Sequence, residues 1–160
     1  MISKNPARAC WSFRGNSGIL GIAFSQPDVL LSHVVIHQQP SNSTALLSRA
    51  PRQVVVWGLV DGVKNMEAYK LSRDAFASAL LRHPPFPKPR EGLFIPLAEF
   101  EFDITAPSMC QASPLSDEAR SSGMDFGVIV FEVRSNWGAD VTSLCSVHVY
   151  GCTISPDKQI

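Results

Sequence analysis

The chain has 160 residues, and 14 Lys and Arg balance 14 Asp and Glu, so its formal net charge is zero. That length suits one domain with a sizeable core, and a charged fraction of 18%, below the ~25% usual for soluble domains, points to a well-buried or partner-covered fold. Neutrality without any run of Lys or Arg argues against a nucleic-acid binder, the apolar content argues against disorder, and no apolar run reaches the ~18 residues that span a bilayer.

In chain order, Met1-Ile2-Ser3-Lys4-Asn5-Pro6 lacks a secretory apolar stretch. The first strand signal is Gly18 to Ser25, with Leu20, Ile22 and Phe24 on one face. Val29 to Gln38 follows, with Val29, Leu31, His33, Val35 and His37 on one side and Leu30, Ser32, Val34 and Ile36 on the other. Gln53 to Leu59 is β-branched and bounded by Pro51 and Gly58. Asn65 to His83 departs from the strand pattern: Met66, Tyr69, Phe76, Leu80 and Leu81 recur at helical spacing, Asn65 is placed to cap the start, and the proline-rich stretch from Pro84 to Pro89 stops the helix. Residues 65–90 therefore read as a helix plus a stiff linker inserted into a β fold.

Leu93 to Phe102 and Phe126 to Arg134 are again strands, separated by a Ser- and Pro-rich surface loop at Ala106 to Gly123. Ser143 to Gly151 reads as one closing strand, with Cys145, Val147 and Val149 on one face and Leu144, His148 and Tyr150 on the other. Short strands separated by Gly- and Pro-containing turns predict an all-β, antiparallel β-sandwich, jelly-roll-like, with a short helical insertion.

The residues carry no G-x-S-x-G elbow, H-E-x-x-H, P-loop or G-x-G-x-x-G. No acid–base or nucleophile–base pair stands out, so the expectation is a protein that is not an enzyme. Glu99 and Glu101 share one face of a strand that reads as solvated, and Asp117-Glu118 falls in the surface loop. Cys145, His148 and Cys152 have metal-like spacing, but on one extended strand Cys145 and His148 point to opposite faces and Cys152 lies ~13 Å beyond His148, which disfavours zinc. Four cysteines permit three fully paired connectivities. Of these pairs Cys10 with Cys145 is favoured in an oxidising compartment, the alternative being two buried free thiols. Asn42-Ser43-Thr44 is a glycosylation sequon wherever this segment meets the secretory pathway.

Five segments stand in a telling order: Cys10-Trp11-Ser12-Phe13-Arg14-Gly15; the strand ending Val34-Val35-Ile36-His37; Asn42-Ser43-Thr44 followed by Arg49-Ala50-Pro51-Arg52; Phe131-Glu132-Val133-Arg134-Ser135-Asn136-Trp137-Gly138; and Val147-His148-Val149-Tyr150-Gly151. This set closely resembles the SUN domain of nuclear-envelope bridging (LINC-complex) proteins and covers residues 10–152. The resemblance implies one SUN-like β-sandwich domain over residues 1–160, in the perinuclear space of the nuclear envelope, or alternatively in the lumen of the endoplasmic reticulum. It implies a homotrimer formed through a coiled coil in a full-length context, a membrane attachment through segments outside this sequence, and a partner: the KASH-type C-terminal tail of an outer nuclear membrane protein. Such a tail binds partly by strand addition, with its terminal carboxylate in a pocket.

By position, His37, Ser48, Arg49 and Cys145 fall at that pocket, and Cys10 at the domain-stabilising half-cystine. The resemblance also places a monovalent-cation loop at Asn5, Pro6 and Ala9, with no other cofactor. Several residues depart from the family pattern. Arg49 stands where a pocket serine is expected, with Ser48 one place earlier. Val141 or Thr142, and Cys145, replace closing-strand tyrosines, and the second half-cystine aligns nearer Ser143 than Cys145. Only nine residues precede Cys10, where the family carries a helix, a strand and a hairpin lid, so the expectation is an N-terminally truncated SUN-like domain. The alternative function is a SUN-like lumenal protein that binds glycans or client membrane proteins.

Overall fold

Alternating apolar residues sort the strands' side chains between a shared interior and two outer faces. The structure, a computed structural model, describes residues 10–26, 28–83 and 92–153. Its strands are β1 (Trp11–Arg14), β2 (Gly18–Ala23), β3 (Val29–His37), β4 (Gln53–Val60), β5 (Leu93–Glu101), β6 (Cys110–Pro114), β7 (Val128–Val133), β8 (Val141–Leu144) and β9 (Ser146–Thr153). Its helices are α1 (Thr44–Leu47), α2 (Val63–Arg82) and α3 (Asp117–Ser121). The strands form an antiparallel β-sandwich: a four-stranded sheet in the order β2-β7-β4-β5, a three-stranded sheet β6-β3-β9, and a two-stranded ribbon β1-β8.

The core lies between the two larger sheets. From the three-stranded sheet Val34 and Ile36 are fully buried, and from the four-stranded sheet Val54, Val56, Ile129, Phe131 and Val133 meet them. β4 is buried on both faces, which is why it reads as a near-continuous apolar run. Its outward Val55 and Trp57 join Phe94 and Val130 in a second apolar cluster, against which Leu80 of α2 packs. The helix therefore covers part of the outer face of the four-stranded sheet, while Phe76 reaches the main core.

Gly58 on β4 is needed for close packing. A Cβ there would lie 2.6 Å from the Phe126 ring and 2.8 Å from a Leu97 methyl. Gly58→Ala is expected to overpack this layer and lower stability by about 1–3 kcal/mol. Urea unfolding checks this, and a neutral result would mean that the Phe126 ring can move aside.

Four expectations change. The helix starts at Val63 with Gly62 as its N-cap, so Asn65 is not a cap; its buried amide instead donates to the carbonyls of Asp61 (2.9 Å) and Asp125 (2.8 Å), tying the first turn to the segment before β7. The loop at 106–123 contains β6 and α3. Cys110-Gln111-Ala112-Ser113-Pro114 has little strand propensity of its own and becomes a strand because β3 offers a free edge. Asp117 and Glu118 occupy the first turn of α3, where Ser116 caps the helix and the exposed amide end favours acidic groups. The closing strand is two strands in different sheets, and the break at Cys145 shifts the alternation by one residue. Leu144 is buried with the core, and Val147 and Val149 also pack on it, three and five residues later. The linker Pro84–Pro89 lies outside the described residues.

Candidate peptide-binding site

The site grows out of the turn Ser135-Asn136-Trp137-Gly138. Asn136 is buried; its amide donates to Ala139 O (2.8 Å) and to Thr142 Oγ1 (3.1 Å), and its carbonyl accepts from Gly138 N (2.9 Å). Gly138 has φ of 111°, a conformation that side-chain-bearing residues rarely adopt. Thr142 passes the network on by donating to Gly15 O (2.7 Å), which ties β8 to the end of β1. The indole N–H of Trp137 donates to Phe102 O (3.0 Å), and the Arg52 guanidinium lies 4.4 Å from its ring centroid.

This turn fixes the α1 segment. Ser43 caps α1 by accepting from Leu46 N. Beyond the helix, Ser48 O accepts from Trp137 N (3.1 Å) and Arg49 O accepts from Ser143 N (2.8 Å). The backbone beneath Arg49 is therefore held by two other segments, while its exposed guanidinium makes no ion pair among the described residues.

Gln38 holds the opposite wall. Its side chain donates to Ser143 O (2.8 Å) and accepts from Cys145 N (3.2 Å), so one buried amide satisfies the backbone where the chain leaves β8 for β9. A disulfide joins Cys145 to Cys10, closing 135 residues of sequence separation. Together these elements line a half-open cavity of about 390 Å³. Its apolar lining includes Leu46, Leu47 and Met109; Gln38, Ser143 and Arg49 stand among its polar groups, with Ser12, Gln39 and Ser41; Cys10 and Cys145 also line it. A pocket with apolar and polar lining in similar measure, and with a cation that has no ion-pair partner among the described residues, suits a ligand with an apolar part and a negative end.

Of the residues singled out from the sequence, Cys10, Arg49 and Cys145 come together at this cavity, although 39 residues separate the first two and 96 the last two. His37 and Ser48 do not line it. The alternation of β3 turns His37 outward, between Cys110 and Ser146 of the flanking strands, and turns the next residue, Gln38, inward. The Ser48 hydroxyl folds back to donate to Ala45 O (2.8 Å). Asn42 is exposed and adjoins the cavity-lining Ser41. The cation-loop residues Asn5, Pro6 and Ala9 lie outside the described residues. Cys145 is committed to the disulfide, and among the described residues no group of three metal-ligating side chains assembles. Gln38 was missed, although the signal was present: it has the same parity as the inward Val34 and Ile36, and a polar group at an inward position asks for partners.

No helix among the described residues is long and apolar enough to cross a membrane. No family model and no curated protein matches the chain. Among solved structures, a SusE-like protein superposes with a TM-score of 0.57 at 16% identity, over 89% of this chain and 51% of that one. The chain thus spans about half the length of that structure, and at this identity the likeness is one of fold.

Proposed function

We propose that the protein is a non-enzymatic SUN-like domain that binds the KASH-type C-terminal tail of an outer nuclear membrane protein in the perinuclear space, as the inner half of a bridge from nucleus to cytoskeleton. The observation that carries this reading is the cavity, where Arg49, without an ion-pair partner among the described residues, stands beside Leu46, Leu47 and the Cys10–Cys145 disulfide. The ordered motif segments support the same reading, because the Asn-Trp-Gly turn, through Trp137 N and Ser48 O, holds the segment whose Arg49 and Ala50 line the cavity. Arg49 would take the terminal carboxylate and the Leu46, Leu47 and Met109 surface an apolar last side chain. β1 is an edge strand beginning at the cavity rim, so an extended tail can pair with it through main-chain hydrogen bonds.

The test is calorimetric titration with a synthetic KASH-type peptide ending in a free carboxylate and with its C-terminally amidated twin. The free acid is expected to bind, while amidation of the peptide or the substitution Arg49→Glu is expected to weaken binding by about tenfold or more, the usual worth of a charge-assisted hydrogen bond. Equal binding of acid and amide overturns the proposal.

One observation favours the alternative, a glycan-binding protein of the endoplasmic-reticulum lumen. On the outer face of β9, Tyr150 is 48% exposed, and the His33 ring is stacked behind it at 4.6 Å with only 4° between the planes. A flat, backed aromatic ring beside the hydroxyl of Ser32, which lies 2.9 Å from His33 Nδ1, is a surface on which a sugar can stack. Glycan-array binding that Tyr150→Ala abolishes, with no binding of the peptide, would establish that reading instead.

A further inference from the structure

His83, at the C-terminal end of α2, is the most enclosed ionisable side chain described, at 2% exposure. It sits at the centre of a polar network on the outer face of the four-stranded sheet. Arg134, the residue just after β7, donates from Nη1 to Nδ1 of His83 (3.0 Å). A guanidinium can only donate, so Nδ1 carries no proton and the ring is the Nε2–H tautomer. Nε2 in turn faces Oε2 of Glu99 on β5 at 3.2 Å. Behind Arg134, its other nitrogen meets Glu132 (3.3 Å), which also accepts from the Trp57 indole N–H (2.7 Å) of β4. Among the described residues, the charged groups that bear on His83 are thus Glu99 from β5, Glu132 from β7, Arg134 just after it, and Arg82 from α2 itself; β4 contributes the Trp57 ring, edge-on at 5.9 Å.

We propose that His83 is an acid-operated latch: neutral, it ties the C-terminal turn of α2 to the outer face of the sheet, and protonation releases that turn. The reason is geometric. A proton on Nδ1 would point at the Arg134 guanidinium, setting donor against donor and cation against cation inside a closed contact. Glu99 and Glu132 favour the cation, but burial is the largest influence and Arg134 and Arg82 add to it, so the imidazole titrates below its ordinary range. With the folded value lowered, the neutral ring's contribution to folding is complete above the unfolded value of about 6.5 and is lost as pH falls through the lower folded value.

Amide hydrogen exchange across the last turn of α2, corrected for intrinsic rates, reads the latch at about pH 7.5 and about pH 5. In the native protein, protection of residues 79–82 is expected to fall about tenfold or more on acidification. In His83→Gln it is expected to stay constant, because glutamine keeps an acceptor for Arg134 and a donor for Glu99 without titrating. Unchanged protection in the native protein, or equal loosening in the variant, overturns the proposal. Should the variant not fold, NMR titration of His83 in the native chain decides: the ring must titrate below the ordinary value, and lower still in Glu99→Gln, and a value at or above the ordinary one overturns the latch.

Discussion

Loss of the Cys10–Cys145 disulfide, by reduction or in the double substitution Cys10→Ser with Cys145→Ser, is expected to cost about 4–5 kcal/mol of stability. The bond closes 135 residues of sequence separation, so its removal returns a large loop-closure entropy to the unfolded chain. Little else holds the first strand in place. β1 pairs with β8 through only four residue pairs, and a two-stranded ribbon is marginal by itself. Beyond these come the packing of Trp11 and Phe13 on the core, the contact of the Ser12 and Ser143 hydroxyls (2.8 Å), and the bonds of Gly15 O to Thr142 Oγ1 and of Gly15 N to Asp140 O (2.7 Å each). For a chain of this size the loss corresponds to a fall in Tm of roughly 10–20 °C, measurable by thermal unfolding with and without reductant. Because both cysteines line the cavity, peptide binding is expected to weaken in the same preparation. A fall in Tm below about 3 °C would show instead that apolar packing alone anchors β1.

Asn136→Ala is expected to cost about 2–4 kcal/mol, well beyond the effect of an ordinary polar substitution. The truncation removes the partners of Gly138 N and Ala139 O, empties a buried side-chain site, and leaves the buried Thr142 Oγ1 without its donor. Asn136→Asp separates lost hydrogen bonds from lost volume. It keeps an acceptor for Gly138 N but turns an oxygen toward Ala139 O and toward a hydroxyl already engaged in donating to Gly15 O. The aspartate variant is therefore expected to be at least as unstable as the alanine one at neutral pH, and to recover part of the loss in acid, where the protonated carboxyl can donate. Denaturant unfolding of both variants checks the order, and a fully stable aspartate variant would contradict it. Since Trp137 N and Ser143 N hold the backbone of Ser48 and Arg49, both variants are also expected to displace the Arg49 wall.

The parts legible in the sequence share one property: the signal repeats locally. β3, β4, β5 and β7 each carry enough β-branched or alternating residues for a window of six to nine to declare itself, and their predicted bounds fall within two residues of those found. α2 declares itself by its spacing and by the prolines that follow, although its start was misplaced because Asn65 uses its amide across the fold rather than at the helix end. The Asn-Trp-Gly turn was legible as a motif, while its role in fixing Arg49 was not, because the Trp137–Ser48 and Ser143–Arg49 bonds span about ninety residues.

The sequence by itself determined the layers, the helical insertion, and which turns and cysteines matter, since those follow from periodicity, backbone restriction and side-chain chemistry within short stretches. Only the tertiary structure decided that β6 is a strand, that the closing segment divides at Cys145 between two sheets, that Gln38 rather than His37 faces the cavity, and that His83 meets Arg134 and Glu99. Each of these depends on which buried donor finds which acceptor once distant segments are packed. That matching is set by register and burial across the whole chain, and no local window of residues contains it.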